Sequence, residues 1–231
     1  MPNTSYKYTL EIACFNLESC VIAQEAGADR IEFCQQYALG GLTPAYDDII
    51  KARALIKIPL HVIIRPHANG FVYSSKEIQQ MQQDILFCKQ QKIDGVVFGV
   101  LNTSHHIDIE KNQTLLSVCD KMLTTFHRAI DSCHLIPQAV ESLISLGFHK
   151  VLTSGGKHTA LEGKNQIKTL QQQFGHQIQI MPGGSIRSNH IQALQQITHC
   201  YEFHSAALVD DTTLTNQQEV KQLKQQLLSH V

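Results

Sequence analysis

Almost everything that marks a nucleic-acid binder, a membrane protein or a disulfide scaffold is missing from this sequence of 231 residues. Lys and Arg number 19 against 20 Asp and Glu, a formal charge of −1 that leaves no broad cationic face for nucleic acid or an anionic membrane, only local basic pockets. No apolar run approaches the ~18 residues of a membrane-spanning helix, and Met1 to Lys7 lack the apolar core of a leader, so a cytoplasmic protein is expected. The seven cysteines (14, 20, 34, 88, 119, 133 and 200) are odd in number and never spaced Cys-x-x-Cys, which argues against a disulfide framework or a structural zinc site. No Ser/Gly/Pro-rich linker, charge block or composition shift marks a boundary. One domain over 1–231, with its core at about 8–228, is expected.

What is present is a recurrence. Short apolar runs return at intervals of roughly 20 to 35 residues: Tyr8 to Cys14, Arg30 to Cys34, Leu60 to Arg65, Gly95 to Leu101, Leu123 to Arg128, Lys150 to Gly155, Gln177 to Gly184 and Tyr201 to Ala206. Helical stretches separate them. Asn16 and Gly27 bracket the first, Thr43-Pro44 opens the second, and Ser74 with Glu77 has capping-box spacing at the third. The fourth is expected at Ile109 to Cys119, the fifth at Pro137 to Leu146, the sixth at Ala160 to Phe174, the seventh after Ser188-Asn189 and the eighth at Asn216 to Leu228. Alternation of this kind predicts an α/β fold, a single (β/α)8 TIM barrel. An open doubly wound sheet would usually carry Gly-x-Gly-x-x-Gly after its first strand, where this chain has Cys14-Phe15-Asn16.

In such a barrel the chemistry sits at the C-terminal ends of the strands. Glu11 and Glu32 fall inside otherwise apolar strands, where an unpaired charge is costly, so cations are expected beside them; Arg65, Arg128 and His127 end other strands on the same face. Glu11, Glu32, Arg65, His127, Arg128 and Asp131 are the candidate acid, base and anion-holding groups. Alternation points Glu32 and Cys34 the same way and aligns Glu11 with Ala13, so Cys14 joins them only through a bulge. Glycine clusters close the list: Ser154 and Gly155 after the sixth strand, Gly183 and Gly184 after the seventh, with His204 and Ser205 at the eighth, are candidate anion-binding positions.

Ordered motifs from Leu10 to Ala206 carry a resemblance. They include Gly27-Ala28-Asp29-Arg30-Ile31-Glu32-Phe33-Cys34, Gly40-Gly41-Leu42-Thr43-Pro44, Ile64-Arg65-Pro66, Asp94-Gly95-Val96-Val97-Phe98-Gly99, Thr125-Phe126-His127-Arg128-Ala129, Met181-Pro182-Gly183-Gly184 and Glu202-Phe203-His204-Ser205. Together they resemble the CutC copper homeostasis family. The resemblance implies a cytoplasmic barrel, commonly a homo-oligomer (dimer or tetramer), with Cu(I) held by cysteines of the first two strands, here Cys14 and Cys34. The chain departs from the family pattern at Ala13, where some members have cysteine. The segment Arg65-Pro66-His67-Ala68-Asn69-Gly70-Phe71 lacks the usual second arginine, glycine pair and aspartate, and Ser185 replaces a glycine. Two functions are therefore expected: copper handling with Cu(I) as the bound ion, or an enzyme that does acid/base chemistry on a small anionic or phosphorylated molecule.

Overall fold

Eight parallel strands make one sheet in the computed structural model, which describes residues 8–209 and 212–228. Met1 to Lys7, read above as lacking a leader, lie outside them. The strands are β1 (Thr9–Cys14), β2 (Arg30–Phe33), β3 (Leu60–Ile63), β4 (Gly95–Phe98), β5 (Leu123–Phe126), β6 (Lys150–Thr153), β7 (Gln179–Pro182) and β8 (Glu202–Ser205). Their order is β7-β6-β5-β4-β3-β2-β1-β8, and β7 packs beside β8, so the sheet curls into the expected (β/α)8 barrel. The helices are α1 (Leu17–Glu25), α2 (Tyr46–Leu55), α3 (Ser75–Gln90), α4 (Ile109–Cys119), α5 (Ile136–Leu146), α6 (Lys164–Phe174), α7 (Ile191–Thr198) and α8 (Gln217–Leu228). None of the described helices is long and apolar enough to cross a membrane.

Several helix starts follow the side chains that mark them. Asn16 caps α1, its Oδ1 accepting from the Ser19 N–H at 2.8 Å, and Ser74 with Glu77 closes a reciprocal capping box on α3. Gly147, at φ +88°, ends α5 in the left-handed conformation that glycine tolerates. Two starts differ from expectation. Pro44 precedes the cap residue Ala45 of α2, and Thr43 is held in an extended pairing with Arg65 just after β3, its N–H donating to the Arg65 carbonyl and its Oγ1 accepting from the Arg65 N–H. Helix α6 begins at Lys164, not Ala160; residues 160–163 form a turn ahead of it, in which the Ala160 N–H donates to the Gly184 carbonyl.

Strand alternation separates two environments. Leu10, Ile12, Ile31, Phe33, Val62 and Phe98 face the helices and belong to the main apolar core. The interior positions Glu11, Arg30, Glu32, His61 and Lys150 are polar, with a small apolar cluster of Cys34, Ile63 and Val97 among them and Ala13, Leu152 and Met181 also buried there. Register aligns Glu11 with Arg30 on one side and His204 on the other, and Glu32 with His61.

Candidate functional site

A ladder of charges climbs the barrel interior. Lys150 Nζ and Arg30 Nη2 each donate to Glu202 at 2.5 Å, on different carboxylate oxygens, and Arg30 Nε donates to Glu11. The other oxygen of Glu11 lies 2.7 Å from His204 Nδ1; His204 Nε2 lies 3.8 Å from Glu32, and the Cys34 thiol 3.5 Å from the same Glu32 oxygen. The counter-cation of Glu11 is thus Arg30, its register neighbour, and not Arg65 or Arg128.

These contacts set opposite properties on the two acids. Burial opposes ionisation of Glu11, at 1% exposure, but Arg30 and His204 outweigh it and hold its carboxyl well below the usual range. Glu32 is raised instead, because burial and the nearby Glu11 charge dominate over His204. His204 is raised, burial being overcome by the Glu11 hydrogen bond and the Glu32 charge. The Cys34 thiol is pushed well up by burial and Glu32, so it stays protonated at neutral pH.

Above the ladder a cavity of about 370 Å³ opens at the strand C-terminal ends. Glu32, Cys34, Arg65, His127, Arg128 and His204 all line it, as do Gly184 and Ser205. Arg65 is fixed by the turn after β2, where Gly40 and Gly41 (φ +77° and +88°) curl the backbone so that the carbonyls of Leu39 and Gly41 accept from Nη1 at 2.8 and 2.9 Å. His127 packs onto Gly99, where a Cβ would stand 2.8 Å from Nδ1. That Nδ1 accepts the Ala129 N–H at 3.3 Å, which leaves the proton of the neutral ring on Nε2. Burial, then Arg65, lowers His127 to about 3, so the ring is neutral.

Asp131 stands behind the mouth rather than in it. Its carboxylate accepts from Arg128 Nε (2.9 Å), the hydroxyls of Thr153 and Ser154, and the N–H groups of Ser154 and Gly156. Ser154, fully buried, also receives Arg128 Nη2 at 2.7 Å. This network aims Arg128 at the cavity and leaves no hydrogen-bonding capacity on Asp131 for a ligand.

The structure therefore brings together Glu32, Cys34, Arg65, His127, Arg128, Gly184, His204 and Ser205, and leaves Glu11, Cys14, Asp131, Ser154, Gly155 and Gly183 off the cavity wall. Gly183 packs against Leu152, 2.4 Å from where its Cβ would be, and Gly155 against Gly163. Sequence reasoning passed over Arg30, His61, Lys150, Glu202 and the cavity-lining Arg187. The inward parity that Arg30 shares with Glu32, and Glu202 with His204, was the available signal.

A Cu(I) site formed by Cys14 and Cys34 needs both thiols on one side of the sheet. Strand β1 keeps its register through Cys14, which faces α1 and α8 and has its sulfur 3.9 Å from Thr215 Oγ1. Cys34 alone reaches the cavity, and no group of three or more His, Cys, Asp or Glu among the described residues is arranged to hold a metal ion. Strand alternation, with no bulge in β1, thus places the two cysteines of the expected pair on opposite sides of the sheet.

Residues 8–209 match the family model described as CutC family. A family protein CutC of Porphyromonas gingivalis is 45% identical over 197 residues, covering 85% of this chain and 79% of the relative. A human protein named copper homeostasis protein cutC homolog is 40% identical over 200 residues, 87% of this chain and 73% of its own length. The crystal structure of the protein CutC from Streptococcus agalactiae superposes with a TM-score of 0.82 at 30% identity, covering 86% of this chain and 98% of that one. Motif order, barrel and sequence identity agree, and the chain belongs to the CutC family.

Proposed function

We propose that the barrel mouth binds a small anionic molecule and carries out acid/base chemistry on it, with Glu32 and His204 as the proton-handling pair. The observation that carries this reading is a charge imbalance: Arg65, Arg128 and Arg187 line one cavity whose sole lining carboxyl among the described residues is Glu32. Guanidinium groups suit carboxylate and phosphate oxygens, and a carboxyl raised toward neutrality suits proton transfer. The chain is taken to work in this way as one domain over 1–231, in the cytoplasm, as a dimer or tetramer. A ligand that binds only the native state stabilises it by about 2.7 kcal/mol at a hundredfold excess over its dissociation constant, which for a chain of this length raises the melting temperature by about 5 to 10 °C. Phosphate, sulfate and small phosphosugars are the probes; at least one should produce that shift in the wild type and a smaller one in Arg187→Ala. A flat response to the whole panel contradicts the reading.

The family's tie to copper supports a second reading, in which Cu(I) is cargo taken up by Cys34. Its sulfur lines the cavity and has the Glu32 carboxyl as a 3.5 Å neighbour that could accept the displaced proton. One thiol falls short of a two-thiolate minimum, so this reading requires a second thiol from outside the chain. Reduced protein should then retain Cu(I) only with a small thiol present and lose it in Cys34→Ser; equal retention by the variant removes Cys34 from the assignment.

A further inference from the structure

Two buried donors beside the cavity have nothing to donate to. Arg65 and His127 line it at 7% and 5% exposure, and both Arg65 Nε and His127 Nε2 are buried without a hydrogen-bond partner. Both pack on one ring, Phe71, whose centroid is 4.9 Å from that of His127 and 5.2 Å from the Arg65 guanidinium carbon. Native proteins rarely leave buried N–H groups unpaired, so two orphans at one cavity mark the place of a missing acceptor. The backbone has already fixed both: Leu39 and Gly41 hold Arg65 by Nη1, and the Ala129 N–H holds His127 by Nδ1. Neutral His127 offers Nε2–H as a donor with little tendency to give the proton away, which suits an oxygen that gains negative charge only during reaction.

We propose, resting on the small-anion reading above, that the ligand is a small carbonyl compound bearing an anionic end, with its carbonyl oxygen on His127 Nε2–H and Arg65 Nε–H and its anionic end on Arg128 and Arg187, and that Glu32 moves a proton at the carbon beside the carbonyl. Glu32 as carboxylate takes that proton; the C–H pair becomes the C=C bond of an enolate, and the carbonyl π pair moves onto the oxygen held by His127 and Arg65. Return of the proton from Glu32 to carbon restores the carbonyl. No electrons leave the substrate and no co-reactant is consumed. The His204 ring beside Glu32 steadies its carboxylate form, and Glu11, through His204 Nδ1, is a positioning residue. A cavity of about 370 Å³ is of the size that holds small metabolites.

The test is deuterium uptake from D2O, followed by proton NMR, into pyruvate, hydroxyacetone phosphate and dihydroxyacetone phosphate, with the thermal shift of each probe measured in parallel. The expected result is exchange at least about tenfold above buffer for one or more probes. It should fall to the buffer level in Glu32→Gln with the thermal shift retained, and by about 10² in His127→Gln, as for loss of an oxyanion donor. Glu32→Asp, which keeps the carboxyl and changes its reach, should retain part of the rate and guards against misreading a folding defect. Probes that shift the melting temperature without exchanging overturn the carbonyl proposal and leave the anion site standing. Probes that do neither overturn both, and exchange undiminished in Glu32→Gln removes Glu32 from the chemistry.

Discussion

Glu11 and Glu32 occupy neighbouring strands with contrasting surroundings, and the contrast assigns their work. Glu11 is held ionised by Arg30 and His204, whereas Glu32, on the cavity wall, is raised by burial. Separating two acids in this way is how one site obtains a fixed charge and a proton carrier. Arg30 links the fixed charges, since Glu11 and Glu202 both receive its N–H groups inside the barrel. Removing one partner of a buried ion pair costs about 3–5 kcal/mol because the remaining charge is stranded. Arg30→Met should destabilise by about that amount in urea unfolding, and adding Glu11→Gln to it should cost less than the two single changes combined. Strict additivity would mean the contact carries no coupling. Parity alone made the inward pairing of Glu32 with Cys34 legible, along with the isolation of Cys14. Arg30 was not, because it stands at the start of β2, away from the strand ends, and strand stagger brings it to the level of Glu11.

Elements differ in how much of their position is local. The starts of α1 and α3 were legible because their capping side chains lie three residues from the N–H groups they satisfy. The start of α6 was not, because the turn before it is tied to distant loops: Ala160 donates to Gly184 after β7, and Gly163 packs so closely on Ser154 after β6 that a Cβ would stand 1.8 Å from the Ser154 carbonyl oxygen. That contact also places the Ser154 hydroxyl under Arg128. Gly163→Ala should therefore destabilise by about 3 kcal/mol, the upper range for overpacking, and should weaken anion binding through a displaced Arg128. Unchanged unfolding would show that the loop after β6 yields freely.

At the scale of the molecule, the recurrence of apolar runs and intervening helices contained the barrel, but not the polarity of its interior. A strand buried on both faces reads as apolar, and here the helix-facing side carries that signal while the interior holds ions paired across strands. The interior makes stability depend on pH. His127, lowered to about 3, and His61, lowered to about 4 by burial, stay neutral in the native state, whereas unfolded imidazoles take up protons near pH 6.5. The unfolded state binds more protons in that window, so stability contributed by these two residues is lost as pH falls from 6.5 toward 4. His204 acts oppositely: raised in the fold, it contributes stability below pH 6.5 that is lost as pH rises through its folded value.

The central claim is that a neutral His127 and the arginines around it form a site for a small anionic ligand. Nitrogen-15 NMR of histidine-labelled protein tests it most directly, recorded from pH 7 to pH 5 with and without the strongest-binding anion among pyruvate, hydroxyacetone phosphate and dihydroxyacetone phosphate. The account predicts a His127 ring that carries its proton on Nε2, does not titrate across that range, and shifts at Nε2 as the anion saturates. A His127 that titrates near pH 6.5 and is indifferent to every anion would contradict it.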